Sequence, residues 1–128
     1  MKVLLDTQVF LWWNADVPRL SQTAHDLIAD GSNELYLSVA SAWEIAIKAA
    51  RGSLILPELP EQYVPSRLQR HRILALPIQL RHALHVYALP PIHRDPFDRL
   101  LIAQSQLEDL PILTTDSEIA RYDVRVIW

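Results

Sequence analysis

DPFDRLLIAQSQLEDLPILTTD, residues 95–116, is the stretch that decides the fold. Asp95 stands where a side-chain oxygen can cap a helix, and Pro96 follows at the first helical position, where its missing N–H is no loss. The pattern predicts a helix from Asp95 to Asp109. After Pro111 it predicts a short apolar strand, Ile112-Leu113-Thr114, with Asp116 directly behind it. A helix feeding an apolar strand that ends in an acid is half of an α/β repeat. In such folds ligands gather outside the carboxyl ends of the strands.

The same alternation continues on either side. Val3-Leu4-Leu5, Leu35-Tyr36-Leu37, Ile73-Leu74-Ala75-Leu76 and Val124-Arg125-Val126-Ile127 are apolar runs of strand length, continuous enough for strands covered on both faces. Helical patterns separate them. Thr7 to Asn14 and Ser21 to Asp30 follow the first strand, Ser41 to Arg51 and Pro60 to His71 the second, and Gln79 to Leu89 and residues 95–109 the third. A short turn at Ser117 to Arg121 follows the fourth. Strands alternating with helices imply parallel pairing through crossovers, hence an α/β three-layer sandwich with a parallel five-stranded sheet. Gly52 to Pro60 and Leu89 to Arg94 are the expected irregular regions, and residues 1–128 are expected to form one domain.

Half of the 128 residues are hydrophobic and only two are glycine, a composition that fills a core. Cysteine is absent, so any metal must sit on carboxylates, imidazoles or carbonyls. The apolar run at Met1-Lys2-Val3-Leu4-Leu5 stops at Asp6, and no stretch approaches the roughly 18 apolar residues of a membrane span. A cytosolic location without membrane attachment is the expectation. Net charge is −3, which argues against holding nucleic acid by bulk electrostatics. Residues 48–99, however, carry eight arginines and lysines against four acids, a local surplus of +4. It suits solvated helix faces and equally offers a band for phosphate contacts.

Four acids are placed to matter. Asp6 ends the first strand, Glu44 lies early in the helix after the second, Asp116 follows the fourth, and Asp98 opens the helix that leads into it. All four therefore converge on one sheet edge. Each also has a structural explanation: Asp6 and Asp116 as helix caps, Glu44 as partner of Lys48 one turn on, Asp98 as an acid at a helix N-terminus. Convergence tips the balance. Two carboxylates about 4 Å apart repel by roughly 4 kcal/mol at an effective dielectric of 20, and a divalent cation such as Mg²⁺ or Mn²⁺ turns that repulsion into ligation. Capping by Asp95 leaves Asp98 free for metal, with Asp95 as a possible supporting group.

At these residues the chain resembles the PIN-domain family, especially its VapC-like toxin members. The resemblance runs through Leu4-Leu5-Asp6-Thr7, Ser38-Val39-Ala40-Ser41-Ala42-Trp43-Glu44-Ile45-Ala46-Ile47-Lys48, His93-Arg94-Asp95-Pro96-Phe97-Asp98-Arg99-Leu100-Leu101-Ile102-Ala103-Gln104 and Leu113-Thr114-Thr115-Asp116. It implies sheet order 3-2-1-4-5 and a metal site on Asp6, Glu44, Asp98 and Asp116, with Thr7, Ser41 and Thr114 as hydroxyls beside the acids. It further implies a Mg²⁺- or Mn²⁺-dependent ribonuclease hydrolysing RNA phosphodiester bonds, a homodimer, and inhibition by a small antitoxin.

Two rivals remain. A phosphatase using Asp6 as nucleophile would want an acid two residues on, where Gln8 stands. A non-catalytic binding domain could keep the fold. Lys48 is read as a partner of Glu44 or a neutraliser of substrate phosphate, and His93 as a structural loop residue. His71, His82 and His85 lie on helical patterns without ligand partners. Trp12, Trp13, Trp43 and Trp128 are read as core or subunit-interface residues, with Trp12 and Trp13 suggesting the interface.

Overall fold

A computed structural model describes all residues from Met1 to Trp128. The elements run β1 (Lys2–Leu5), α1 (Thr7–Ala15), α2 (Gln22–Ala29), β2 (Glu34–Ser38), α3 (Val39–Ala50), α4 (Pro60–His71), β3 (Ile73–Leu76), α5 (Leu80–His85), α6 (Pro96–Glu108), β4 (Ile112–Leu113) and β5 (Val126–Ile127). Single 3₁₀ turns occupy Val86–Ala88 and Ile119–Arg121. The five strands are parallel, in the expected order 3-2-1-4-5.

Because side chains alternate across a strand, β1 supplies two cores at once. Val3 and Leu5 join Leu35, Leu37, Ile73 and Leu113 on one face, under Phe10 of α1, Ile28 of α2, Ile45 of α3 and Tyr63 of α4. Leu4 and Ile112 face the other way, against Leu101 and Ile102 of α6 and against Ile119 and Tyr122. Val3, Leu4, Leu5 and Leu113 are almost wholly buried, as central strands covered on both faces require. β3 departs from that expectation. It is the outer strand beside β2, and its Leu74 and Ala75 are exposed.

Local chemistry accounts for the remaining boundaries. α3 begins at Val39, two residues before the expected start, because the Ser38 hydroxyl accepts from the Ala40 N–H and caps the helix. Ser41 is thereby released from capping. The Gln79 to Leu89 pattern divides into α5 and the 3₁₀ turn, and β5 is shorter than the apolar run that signals it. Asp109 ends α6 in the left-handed region, φ 53°, which turns the chain back toward β4.

Trp12 and Trp13 do not form a free apolar face. Trp12 packs on Trp128 with ring centroids 6.2 Å apart and lies under the Arg19 guanidinium, while Trp13 sits between His25 and His71. The exposed apolar side chains are elsewhere. Trp43 of α3, 58% exposed, meets Phe97 edge-on at 5.2 Å, and the two line an apolar groove of about 260 Å³ with Ala83, Val86 and Leu100. Leu80, Leu84 and Tyr87 are exposed on α5 and the turn after it.

Candidate metal centre

Parallel strands bring their carboxyl ends to one edge, and the four acids meet there. Asp6, Glu44, Asp98 and Asp116 line a single cleft of about 290 Å³, together with Lys48 and Asp95.

Asp6 leaves β1 at its end, with its backbone N–H bonded to Leu113 O at 3.0 Å. Its carboxylate does not cap α1. Instead Thr114, fully buried at the end of β4, donates its hydroxyl to Asp6 Oδ2 at 2.7 Å. The same hydroxyl accepts from the Asp116 N–H at 3.0 Å, so one threonine fixes two acids. Asp116 Oδ1 in turn accepts from the Glu118 N–H at 2.8 Å, and Oδ2 faces His93. In the buried interior, Thr7 donates to Ser41 Oγ at 2.7 Å and ties the segment carrying Asp6 to the helix carrying Glu44.

Glu44 is buried and pairs with Lys48 through Oε2 at 2.8 Å, one helical turn away. Its Oε1 is shut off from solvent and has no hydrogen-bond partner. Such an orphaned buried carboxylate oxygen is unfavourable unless something positive completes it. At the start of α6, Asp95 caps as its spacing predicts, its Oδ1 accepting from the N–H groups of Phe97 at 2.8 Å and Asp98 at 3.2 Å. Asp98, excused from capping, turns its carboxylate into the cleft.

His93 occupies a place that the sequence did not reveal. Its Nε2 is 2.8 Å from Asp98 Oδ2 and 3.4 Å from Asp116 Oδ2, close charge contacts without the alignment of a hydrogen bond. The available signal was its position two residues ahead of the cap Asp95, which sets it beside the first turn of α6. Arg99 was also passed over. Its guanidinium donates to the carbonyls of Val86, Leu89 and Pro90 and to the Tyr122 hydroxyl, gathering the loop before α6. His82 is buried rather than idle on a helix face. Its Nδ1 accepts from the Gln79 N–H at 3.0 Å and its Nε2 contacts Glu108 Oε1 at 2.9 Å, closing a capping box away from the cleft.

The electrostatics carry the mark of crowded carboxylates. Burial raises the Asp6 pKa, the Thr114 hydrogen bond opposes the rise, and the negative charges of Asp116 and Glu44 add to it. Asp98 is pushed up to about 7 by burial first and then by Asp6, Asp95 and Glu44, with His93 pulling the other way. For His93, burial disfavours the cation but the carboxylates of Asp98 and Asp116 outweigh it, and its pKa is raised. Lys48 is likewise held protonated by its bond to Glu44. Crowded, buried carboxylates of this kind favour a positive charge among them, whether a proton or a divalent cation. The donor atoms close enough to share one ion, within 4.8 Å of one another, are those of His93, Asp98 and Asp116, while Asp6 and Glu44 line the cleft outside that group and Glu44 Oε1 is buried there without a partner.

The sequence matches the PIN domain family over residues 3–125. Ribonuclease VapC16 of Mycobacterium tuberculosis is 39% identical over 72 residues, 53% of this chain and 51% of that protein. The chain therefore spans about half the length of the curated relative it matches. A chain of VapBC2 from Rickettsia felis, in a crystal structure bound to a fragment of promoter DNA, aligns over 99% of this chain and 98% of its own length with TM-score 0.71 and 14% identity. A chain of a toxin–antitoxin complex from Klebsiella pneumoniae aligns over 98% and 96%, with TM-score 0.67 and 16% identity. At those identities the likeness is one of fold. The match from residue 3 to residue 125 takes in all four acid-bearing segments, β2, β3 and β4 complete and all but the first residue of β1, and by it the chain belongs to the PIN domain family.

Proposed function

We propose that residues 1–128 form a single nuclease domain that hydrolyses RNA phosphodiester bonds with Mg²⁺ or Mn²⁺ held by Asp6, Glu44, Asp98 and Asp116. The observation that carries this reading is the buried, unpartnered Oε1 of Glu44, facing a cleft in which Asp6 and Asp98 are both reluctant to ionise. A divalent ion in such a cleft supplies an activated water and stabilises charge on the transferring phosphoryl group.

The chain's own residues do the rest. Thr114 holds the Asp6 and Asp116 carboxylates in register, and the Thr7–Ser41 bond keeps Glu44 at a fixed distance from β1. Lys48, partly exposed beside Glu44, is the cation placed to meet a substrate phosphate. Asp95 maintains the first turn of α6, so that Asp98 meets the cleft in one orientation. Gln8 also lines the cleft, but an amide can neither give a proton to a leaving group nor take one from water, as a phosphatase acting through Asp6 would need of that position.

The relatives extend the proposal to biology. VapC16 is a ribonuclease by name, the Klebsiella structure is a toxin–antitoxin complex, and the Rickettsia structure is VapBC2 on a fragment of promoter DNA. We read this chain in the same way, as the cytosolic toxin of a pair, silenced by a small antitoxin and working as a homodimer. No helix is long and apolar enough to cross a membrane. The groove at Trp43 and the exposed Leu84 and Tyr87 replace Trp12 and Trp13 as the surface that supports the dimer.

Cleavage of a structured RNA in Mn²⁺, abolished by chelation and by Asp98→Asn, is the expected result. Cleavage that persists after chelation would point to contamination or to a mechanism without metal. A metal-binding chain that cuts no RNA would be a binding domain that keeps the fold.

A further inference from the structure

Asp95 and Pro96 start α6, and His93 adds to that start only through Nδ1, which accepts from the Asp95 N–H at 3.4 Å. Its backbone is nevertheless fixed from two sides. Its N–H donates to the Tyr122 hydroxyl at 2.7 Å, and Arg99 Nη1 reaches that hydroxyl at 3.1 Å and the His93 carbonyl at 3.5 Å. Through Val86, Leu89 and Pro90 the same guanidinium anchors the rest of the loop. A loop restrained in this way delivers the imidazole to one place.

That place lies between two acids. An ion about 2.1 Å from each of two neighbouring octahedral ligands sets them about 3 Å apart. Nε2 stands 2.8 Å from Asp98 Oδ2 and 3.4 Å from Asp116 Oδ2, and the three donor atoms lie within 4.8 Å of one another. Nε2 is also buried with no aligned hydrogen-bond partner. Glu44 Oε1 is a second buried, unpartnered donor, on a side chain that is 6% exposed and lines the cleft with Asp98 and Asp116.

We propose that His93 Nε2 is a ligand of the divalent ion, making this a mixed nitrogen–oxygen site that prefers Mn²⁺ to Mg²⁺. The proposal rests on the reading of the cleft as a metal site and adds a ligand to it. Mg²⁺ takes oxygen donors and keeps much of its water, whereas imidazole suits transition ions, among which Mn²⁺ is the one also at home on carboxylates. Ligation through Nε2 puts the ring proton on Nδ1. The contact given up there is the one from the Asp95 N–H at 3.4 Å, the only hydrogen bond the His93 ring makes.

Pulsed electron paramagnetic resonance of the Mn²⁺-loaded wild-type protein tests this directly. Nitrogen-14 modulation from a bound imidazole is expected, changing to the nitrogen-15 pattern when histidine is labelled, and vanishing in His93→Ala. Calorimetry should show Mn²⁺ affinity falling about tenfold in His93→Ala while Mg²⁺ affinity changes less than about threefold. If Mn²⁺ binds wild type, is lost in Asp6→Asn, and shows no nitrogen modulation, His93 is not a ligand and the acidic site stands. If wild type binds no Mn²⁺, both readings fall. Because labelled wild type alone decides the point, poor folding of His93→Ala leaves the test intact.

Discussion

Replacing Asp98 by Asn should make the metal-free protein more stable at neutral pH while destroying its metal site. Asp98 titrates at about 7 in the folded chain against an ordinary 3.8. Between those values the folded state keeps a proton that the unfolded state has released, so stability falls as pH rises through the window. Above pH 7 the full difference is felt, and three pH units correspond to about 4 kcal/mol. Asp6 shifts in the same direction. His93 does too: its raised pKa contributes stability below 6.5 that is lost as pH climbs through the folded value. An Asn at position 98 removes the buried charge but also takes from His93 the carboxylate 2.8 Å away, which makes 4 kcal/mol a ceiling. We expect a gain of about 1–3 kcal/mol at pH 8 in chelator and almost none at pH 4, where wild-type Asp98 is itself close to neutral. Urea unfolding at both pH values measures it. In saturating Mn²⁺ the order should invert, because only wild type gains from ligand bound to the folded state. An Asp98→Asn protein equally destabilised at pH 4 and pH 8 would refute the reasoning.

Thr114→Val, which keeps the shape and loses the hydroxyl, should cost about 1–3 kcal/mol of stability, since Asp6 Oδ2 and the Asp116 N–H both lose their partner; Mn²⁺ affinity should fall with it in calorimetry. Asp95→Ala should cost about 1 kcal/mol through the lost cap, with RNA cleavage reduced far less than by Asp98→Asn. Metal binding should strengthen as pH rises through about 7, because protons leave Asp98 to make way for the ion; calorimetry at pH 6 and pH 8 reads the difference. Trp43→Glu should shift a dimer toward monomer in light scattering with the fold retained in circular dichroism, since the side chain is largely exposed.

The sequence revealed periodicity better than it revealed contacts. Val3, Leu4 and Leu5 announce a strand covered on both faces, and the Asp95-Pro96 pair announces the start of α6 to the residue. Once those elements are placed, the acids must meet, because parallel strands share a carboxyl edge. What stayed hidden depends on distance across the fold. Thr114 touching Asp6 spans 108 residues, and Tyr122 holding His93 spans 29; no local pattern encodes either. His93 was undervalued for that reason, as was Arg99, whose acceptors are mostly loop carbonyls. Trp12 and Trp13 show the same limit. Adjacent tryptophans on a short helix suggest surplus apolar surface, yet Arg19 and His25 from the following segment and His71 and Trp128 from farther along the chain pack on them and leave both half-buried.

The central claim is that Asp6, Glu44, Asp98 and Asp116 together hold a divalent ion. Crystals soaked in Mn²⁺ and recorded for anomalous scattering test it most directly. We predict a peak in the cleft within about 2.5 Å of carboxylate oxygens from at least two of these residues, absent from crystals of the Asp6→Asn/Asp116→Asn double variant. No peak in the cleft at millimolar Mn²⁺, or one that survives in the double variant, would contradict the account.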